Sequence, residues 1–209
     1  IVVNAIGAFE PVLLVADPGA GPEAAAACPG ADVVEWPIDD SWARDIGAIV
    51  LTDGDGRRAG LNPVFNAWGE KFHPYAEDAE FARRMCEHLG LERIDAFPFV
   101  LEGGAITVDG AGTVITTEQC LLNPNRNPEL SQADIEARLA RDLGLTNVLW
   151  LGDGLLHDHT DGHVDNLARF VAPGVLALPR ATGKDDPNAE VYADAGARAQ
   201  NFGVELREV

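Results

Sequence analysis

The segment SQADIEARLARDLGLTNVLWL, residues 131–151, holds the pattern from which the fold can be read. Ser131 stands three positions before Asp134, the spacing of a capping box, and Ile135, Leu139 and Leu143 then recur every fourth residue as one apolar stripe of a helix. Gly144 occupies the place of a left-handed C-terminal cap, and residues 148–151 follow as an apolar strand. The same seam occurs twice more. Leu89-Gly90-Leu91 ends a stripe of Phe81, Met85 and Leu89, and Phe202-Gly203-Val204 ends a helix expected over 188–200. These glycines are spaced 54 and 59 residues apart. Each unit reads as helix, glycine stop, strand, polar loop, strand, tight turn, strand. One helix with several strands per unit, repeated at such a period, suits an α/β fold in which ββαβ blades close into a ring.

Working outward, strands are expected at 1–3, 12–15, 32–34, 46–52, 57–61, around Ile94, and at 105–108, 113–117, 167–171 and 175–178, with a last strand running to Val209. Asp53-Gly54-Asp55-Gly56 is a turn built for positive φ, and Asp109-Gly110-Ala111-Gly112 and Ala172-Pro173-Gly174 join the strands of two later hairpins. Further helices are expected over 22–28 and over 77–89.

Fifteen basic against 34 acidic residues give a formal charge of -19, which opposes nucleic acid and anionic membranes and favours small cations. Hydrophobic residues make up 46% of the 209, enough to pack one sizeable core. Three irregularly spaced cysteines form neither a disulfide framework nor a zinc ribbon, and no apolar run approaches the ~18 residues of a membrane span. Cytoplasmic localisation is therefore expected. The chain starts at Ile1 rather than Met and Val209 closes a strand, so both ends are expected to be cut from a longer chain.

The densest polar loop, His157-Asp158-His159-Thr160-Asp161-Gly162-His163-Val164-Asp165-Asn166, carries three of the five histidines. Three readings fit it. It is a solvated loop; or His157, His159 and His163 are metal ligands, at a spacing that lacks the His-Glu-x-x-His pattern; or His163 and Asp165 share one face of a strand whose Val164 points inward. In a ring of blades the polar loops meet at one mouth, which brings together Asp45, Glu102, His163 and Asp165. Carboxylates of this kind suit a planar cation. A guanidinium presents five donors in a fixed fork that Asp45 and Asp165 can grip by the edges, with Trp42 and Trp68 as stacking faces. His163, oriented and kept basic by Glu102, would protonate the departing nitrogen and deprotonate water.

Five stretches carry a resemblance. Residues 36–45, Asn66-Ala67-Trp68-Gly69-Glu70-Lys71-Phe72, Leu101-Glu102-Gly103-Gly104, 116–123 with Asn125-Arg126-Asn127-Pro128, and 160–166 stand in the order found in agmatine deiminases. These enzymes form part of the bacterial-type (Porphyromonas-type) peptidylarginine deiminase branch of the guanidino-group-modifying, or pentein, superfamily. The resemblance implies a five-bladed α/β propeller, present here as a piece, and one catalytic domain over 1–209. It implies hydrolysis of agmatine to N-carbamoylputrescine and ammonia, in putrescine biosynthesis, through a cysteine thiouronium intermediate. No metal or organic cofactor is implied, and a homodimer is the assembly considered. By the resemblance Asp45 and Asp165 hold the guanidinium, Glu102 pairs with His163, and His163 is the acid/base. The family's nucleophilic cysteine lies past Val209, and Cys120 falls in a different motif. Free arginine and peptidyl-arginine remain open as substrates. A binding protein for guanidines or polyamines, or a metal-binding module, is the alternative of another class.

Overall fold

The computed structural model describes residues 1–183 and 185–209. Contacts divide the chain into two compact units, Ile1–Ser41 with Pro74–Asp78, and Trp42–His73 with Ala79–Val209.

The first unit starts with helix α1 (Val2–Ile6) and then runs β1 (Leu13–Ala16), α2 (Gly21–Ala27) and β2 (Asp32–Glu35). The strand expected at 1–3 is thus a helix. An apolar run lacks a period of its own, and without a partner ladder it closes local i→i+4 bonds, such as Ala5 N–H to the Ile1 carbonyl. β1 and β2 pair in parallel from Leu13 opposite Asp32 to Ala16 opposite Glu35, with α2 as the crossover. Glu35 accepts the Gly19 and Gly21 N–H groups at the start of α2, where a carboxylate meets free donors. Asp78 accepts the N–H groups of Asp39 and Asp40, which folds back the polar stretch after β2.

In the second unit α3 (Ala43–Ile46) leads to β3 (Ile49–Thr52) and β4 (Arg58–Val64); a helical turn α4 (Ala67–Glu70) follows, and after short α5 (Ala76–Ala79), whose first three residues belong to the first unit, come α6 (Phe81–Leu89) and β5 (Glu92–Val100). The second repeat is β6 (Thr107–Val108), β7 (Thr113–Thr117), α7 (Glu118–Leu121), α8 (Gln132–Leu143) and β8 (Asn147–Leu151). The third is β9 (Arg169–Ala172), β10 (Val175–Leu178), α9 (Ala189–Phe202) and β11 (Glu205–Glu208). Each repeat forms one three-stranded sheet, ordered β3-β4-β5, β6-β7-β8 and β9-β10-β11. Its first two strands are an antiparallel hairpin, and its third returns through a helix to lie parallel to the second. Asp53 and Asp109 close two of the hairpins in the same way, each accepting N–H groups two and four residues on.

The seams are those expected. Gly90, Gly144 and Gly203 cap α6, α8 and α9 in the left-handed region, and the Ser131–Asp134 capping box is formed in both directions. Other bounds differ. The helix expected over 77–89 is two, α5 and α6. The strands expected from Ile46 and Ala105 start only at Ile49 and Thr107, because residues 43–46 and 103–105 turn helically beneath the site. Ile135 and Leu139 of α8 are fully buried with Leu61, Phe99, Val114 and Leu121, while Leu149, Leu176 and Ala199 belong to a second cluster. Among the described residues no helix is long and apolar enough to cross a membrane.

Candidate active site

Four of the expected residues come together, each held by a short non-strand element. Asp45 lies in α3, Glu102 precedes the 3-10 turn Gly103–Ala105, and His163 precedes the 3-10 turn Val164–Asn166 that contains Asp165. The alternation argument for His163 and Asp165 therefore fails. Thr160 and Asp158 accept the His163 N–H and bend the loop before any strand can form. Yet the convergence stands. A Cβ on Gly104 would lie 2.5 Å from His163 Nδ1, 2.6 Å from Asp45 Oδ1 and 2.9 Å from Asp165 Oδ2, so only glycine lets these three groups share one point.

Asp45 is nearly buried and receives one donor on each oxygen: the Gly104 N–H at 2.9 Å on Oδ1 and the Trp68 indole N–H at 3.0 Å on Oδ2. Burial nevertheless pushes its carboxyl above the ordinary range, and burial does the same to Asp165 with Asp45 adding repulsion. An incoming cation would relieve both. His163 is 2% exposed, with Nδ1 3.7 Å from Asp45 Oδ1. Burial lowers its pKa to about 4 although Asp165 and Asp158 favour the charged ring, so the imidazole is neutral at pH 7. The expectation that Glu102 keeps it basic is corrected here. Glu102 Oε1 is taken by Arg126 at 2.7 Å, and burial raises the Glu102 carboxyl itself. Glu102 Oε2 and His163 Nε2 are both buried without a partner.

Trp42 is half exposed at the start of α3. Trp68 is buried with its indole N–H on Asp45, and it sits in an unusual backbone. Ala67, Trp68, Gly69 and Glu70 all have positive φ, with Glu70 and Lys71 donating to the carbonyls four residues back, so α4 is one turn of left-handed helix. Each non-glycine residue there costs about 1–2 kcal/mol. Asn66 and Asn125 hold the turn: Asn66 accepts the Gly69 N–H, and its amide donates to the Asn125 carbonyl. Only Gly69 hints at it in the sequence.

The metal set His157, His159 and His163 is not assembled, since His157 and His159 are exposed while His163 is buried. Among the described residues the group with ligand atoms within 4.8 Å of one another is Glu102, Cys120 and His163. Cys120 thus adjoins the site rather than merely following a hairpin, because α7 turns it inward. Its thiol is fully buried and pushed far up by burial and by the Glu102 charge, which suits a packed thiol and not a thiolate ligand. The residue that sequence reasoning left without a role is Arg126, whose only signal was its place in the Asn125-Arg126-Asn127-Pro128 motif.

Residues 1–206 match the Porphyromonas-type peptidyl-arginine deiminase family. The chain belongs to that family. It is 45% identical over 193 residues to agmatine deiminases of Stutzerimonas stutzeri and Pseudomonas aeruginosa, covering 90% of this chain and 52% of each relative. Agmatine deiminase of Enterococcus faecalis superposes with a TM-score of 0.93 at 35% identity, over 99% of this chain and 60% of that one. A cysteine-to-serine variant of C. jejuni agmatine deiminase with substrate bound gives 0.89 at 31% identity, over 99% and 62%. The ββαβ blades of the second unit are accordingly those of the pentein α/β propeller. The chain spans about half the length of the curated relatives it matches.

Proposed function

We propose that residues 1–209 are part of one catalytic domain that deiminates the guanidinium of agmatine, giving N-carbamoylputrescine and ammonia. The observation that supports it best is the meeting of Asp45, His163 and Asp165 around Gly104. Asp45 and Asp165, both raised by burial, grip the guanidinium edges, and half-exposed Trp42, just before α3, is the residue we assign to its face; Trp68 acts on the substrate through Asp45. Neutral His163 takes the proton of a cysteine thiol supplied from outside these residues, and the thiolate attacks the central carbon. His163 then passes that proton to one nitrogen, which leaves as ammonia and forms the thiouronium. A water that gives His163 one proton adds to the carbon as hydroxide; the thiolate departs as that hydroxyl releases its proton to solvent and becomes the urea carbonyl, and His163 returns its own proton to the thiolate. Agmatine is favoured because relatives at 45% identity carry that name. No metal is needed in this sequence of steps. Calorimetry with agmatine on the complete protein tests the clamp. Losing one partner of a desolvated charge pair costs about 2–5 kcal/mol, so Asp45→Asn and Asp165→Asn should each weaken binding well over tenfold, and a smaller loss at both would sink the assignment. His163→Ala should lower turnover by about 10²- to 10⁴-fold with binding largely kept.

A further inference from the structure

Arg126 lies in the loop after α7, and its side chain is wholly buried. A buried guanidinium persists only where its fork is met by acceptors. Here Nε donates to Glu102 Oε1 at 2.7 Å, one terminal nitrogen to Asp161 Oδ2 at 2.9 Å and Asn125 Oδ1 at 2.7 Å, and the other to the Thr160 carbonyl at 2.7 Å.

These acceptors belong to two different parts of the site. Glu102 precedes the turn whose Gly104 N–H holds Asp45, whereas Thr160 and Asp161 lie just before His163. The two carboxylates also differ in what else holds them. Asp161 keeps Lys71 at 2.7 Å and the Asn125 amide at 2.9 Å, and these bonds hold its carboxyl low against the effect of burial. For Glu102, Arg126 is the side-chain donor on Oε1, and Oε2 has none. With Oε1 fixed, the direction of Oε2 is fixed too. His163 Nε2 is likewise buried and unpartnered, and Glu102 and His163 come within 4.8 Å of each other.

We propose that Arg126 is a positioning residue for the deimination: by clamping Glu102 Oε1 to the Thr160 carbonyl and the Asp161 carboxylate, it sets Glu102 Oε2 toward His163 Nε2 and gives the imidazole a single orientation. Arg126 does not touch the substrate in this scheme. The inference rests on the function proposed above for its kinetic consequence, but its geometric content does not.

A double-mutant cycle on the complete protein reads the consequence. Misplacing a catalytic group costs about 10²-fold, so Arg126→Met should lower kcat by about that factor with KM nearly unchanged, and Arg126→Lys, which keeps the charge and loses the fork, should restore part of it. In a Glu102→Gln background Arg126→Met should cost little more, because the effect runs through Glu102. Equal losses in both backgrounds overturn the proposal. Arg138, which pairs with Asp142 away from the site, gives the contrast: Arg138→Met should lower Tm without changing kcat. The second measurement uses the complete protein and no turnover. Imidazole nitrogen resonances of His163 should move in Arg126→Met, and in Arg126→Lys should the first variant fail to fold, while those of His157 and His159 stay put. Unmoved His163 resonances in a folded Arg126 variant overturn the proposal. Absence of deimination by the wild-type complete protein would refute the function, leaving the resonances to decide the role of Arg126.

Discussion

His163 is governed by burial more than by its carboxylate neighbours, and this has a pH consequence with a definite sign. Its folded pKa, about 4, lies below the ordinary 6.5, so on acidification the unfolded chain takes up this proton first. Through this residue stability is therefore lost as pH falls from about 6.5 to about 4. Urea unfolding of wild type and His163→Gln at pH 7 and pH 4.5 should show the wild type losing more on acidification, and a His163 titration midpoint at or above 6 by NMR would contradict it. At Trp68 the predicted cost is polar. Hydrogen bonds to charged groups contribute about 1.5–3 kcal/mol, so Trp68→Phe should destabilise by that order and weaken guanidine binding, since Asp45 Oδ2 loses its donor. Calorimetric and denaturant measurements separate the two effects. Asp45, Glu102, His163 and Asp165 were legible in the sequence because a polar loop between apolar strands concentrates titratable groups at recurrent places. Arg126 was not, since an arginine between two asparagines looks the same exposed or buried until its acceptors are located. The neutral state of His163 was also hidden: neighbouring carboxylates can be counted in a sequence, but the desolvation that outweighs them cannot.

Among the elements, α8 was the most legible, because its cap, stripe and stop all agree. Leu139 is fully buried, and Leu139→Ala should cost about 2–5 kcal/mol by denaturant unfolding. The left-handed turn α4 lies at the other extreme. No residue preference favours Ala67, Trp68 and Glu70 at positive φ, so the turn exists only because Asn66, Asn125 and the Trp68–Asp45 bond hold it, which is a tertiary cause that one segment cannot reveal. Two glycines test this reading. A Cβ at Gly144 would meet nothing within 4 Å, whereas a Cβ at Gly69 would run into the Asn125 side chain. Gly144→Ala should thus cost only the left-handed strain of about 1–2 kcal/mol, and Gly69→Ala clearly more, with weakened guanidine binding as well. Equal melting shifts for the two would argue against the docking of α4 on Asn125. The 3-10 turns at 103–105 and 164–166 escaped the sequence for a related reason. Apolar alternation around Val164 imitates a strand, and only the side chains of Asp158 and Thr160, bonding the His163 N–H, decide for a turn.

At the scale of the whole molecule, the recurrence of glycine stops revealed the blades before any single strand was certain, because a repeated error in three places is less probable than one unit used three times. The same scale bears on the nucleophile. Deimination by the proposed route needs a thiolate that the guanidinium carbon can reach. Cys86 is buried in the helix packed on β4, its sulfur against the Gly60 carbonyl, and burial raises its thiol. Cys120 is within reach of Glu102 and His163, yet it is fully buried, and both burial and the Glu102 charge keep it protonated. Cys28 ends the alanine-rich helix α2 and is half-buried. A buried thiol kept protonated contributes packing and not chemistry. The 209-residue chain alone is therefore expected to release no ammonia from agmatine while still binding guanidines through Asp45 and Asp165. In the folded chain an aromatic disulfide reagent should modify Cys86 and Cys120 only as fast as the protein opens, with full reaction in denaturant. Ammonia release by this chain that disappears on Cys120→Ser, with Tm unchanged, would make Cys120 the nucleophile and overturn both the reading of its burial and the need for a cysteine from elsewhere.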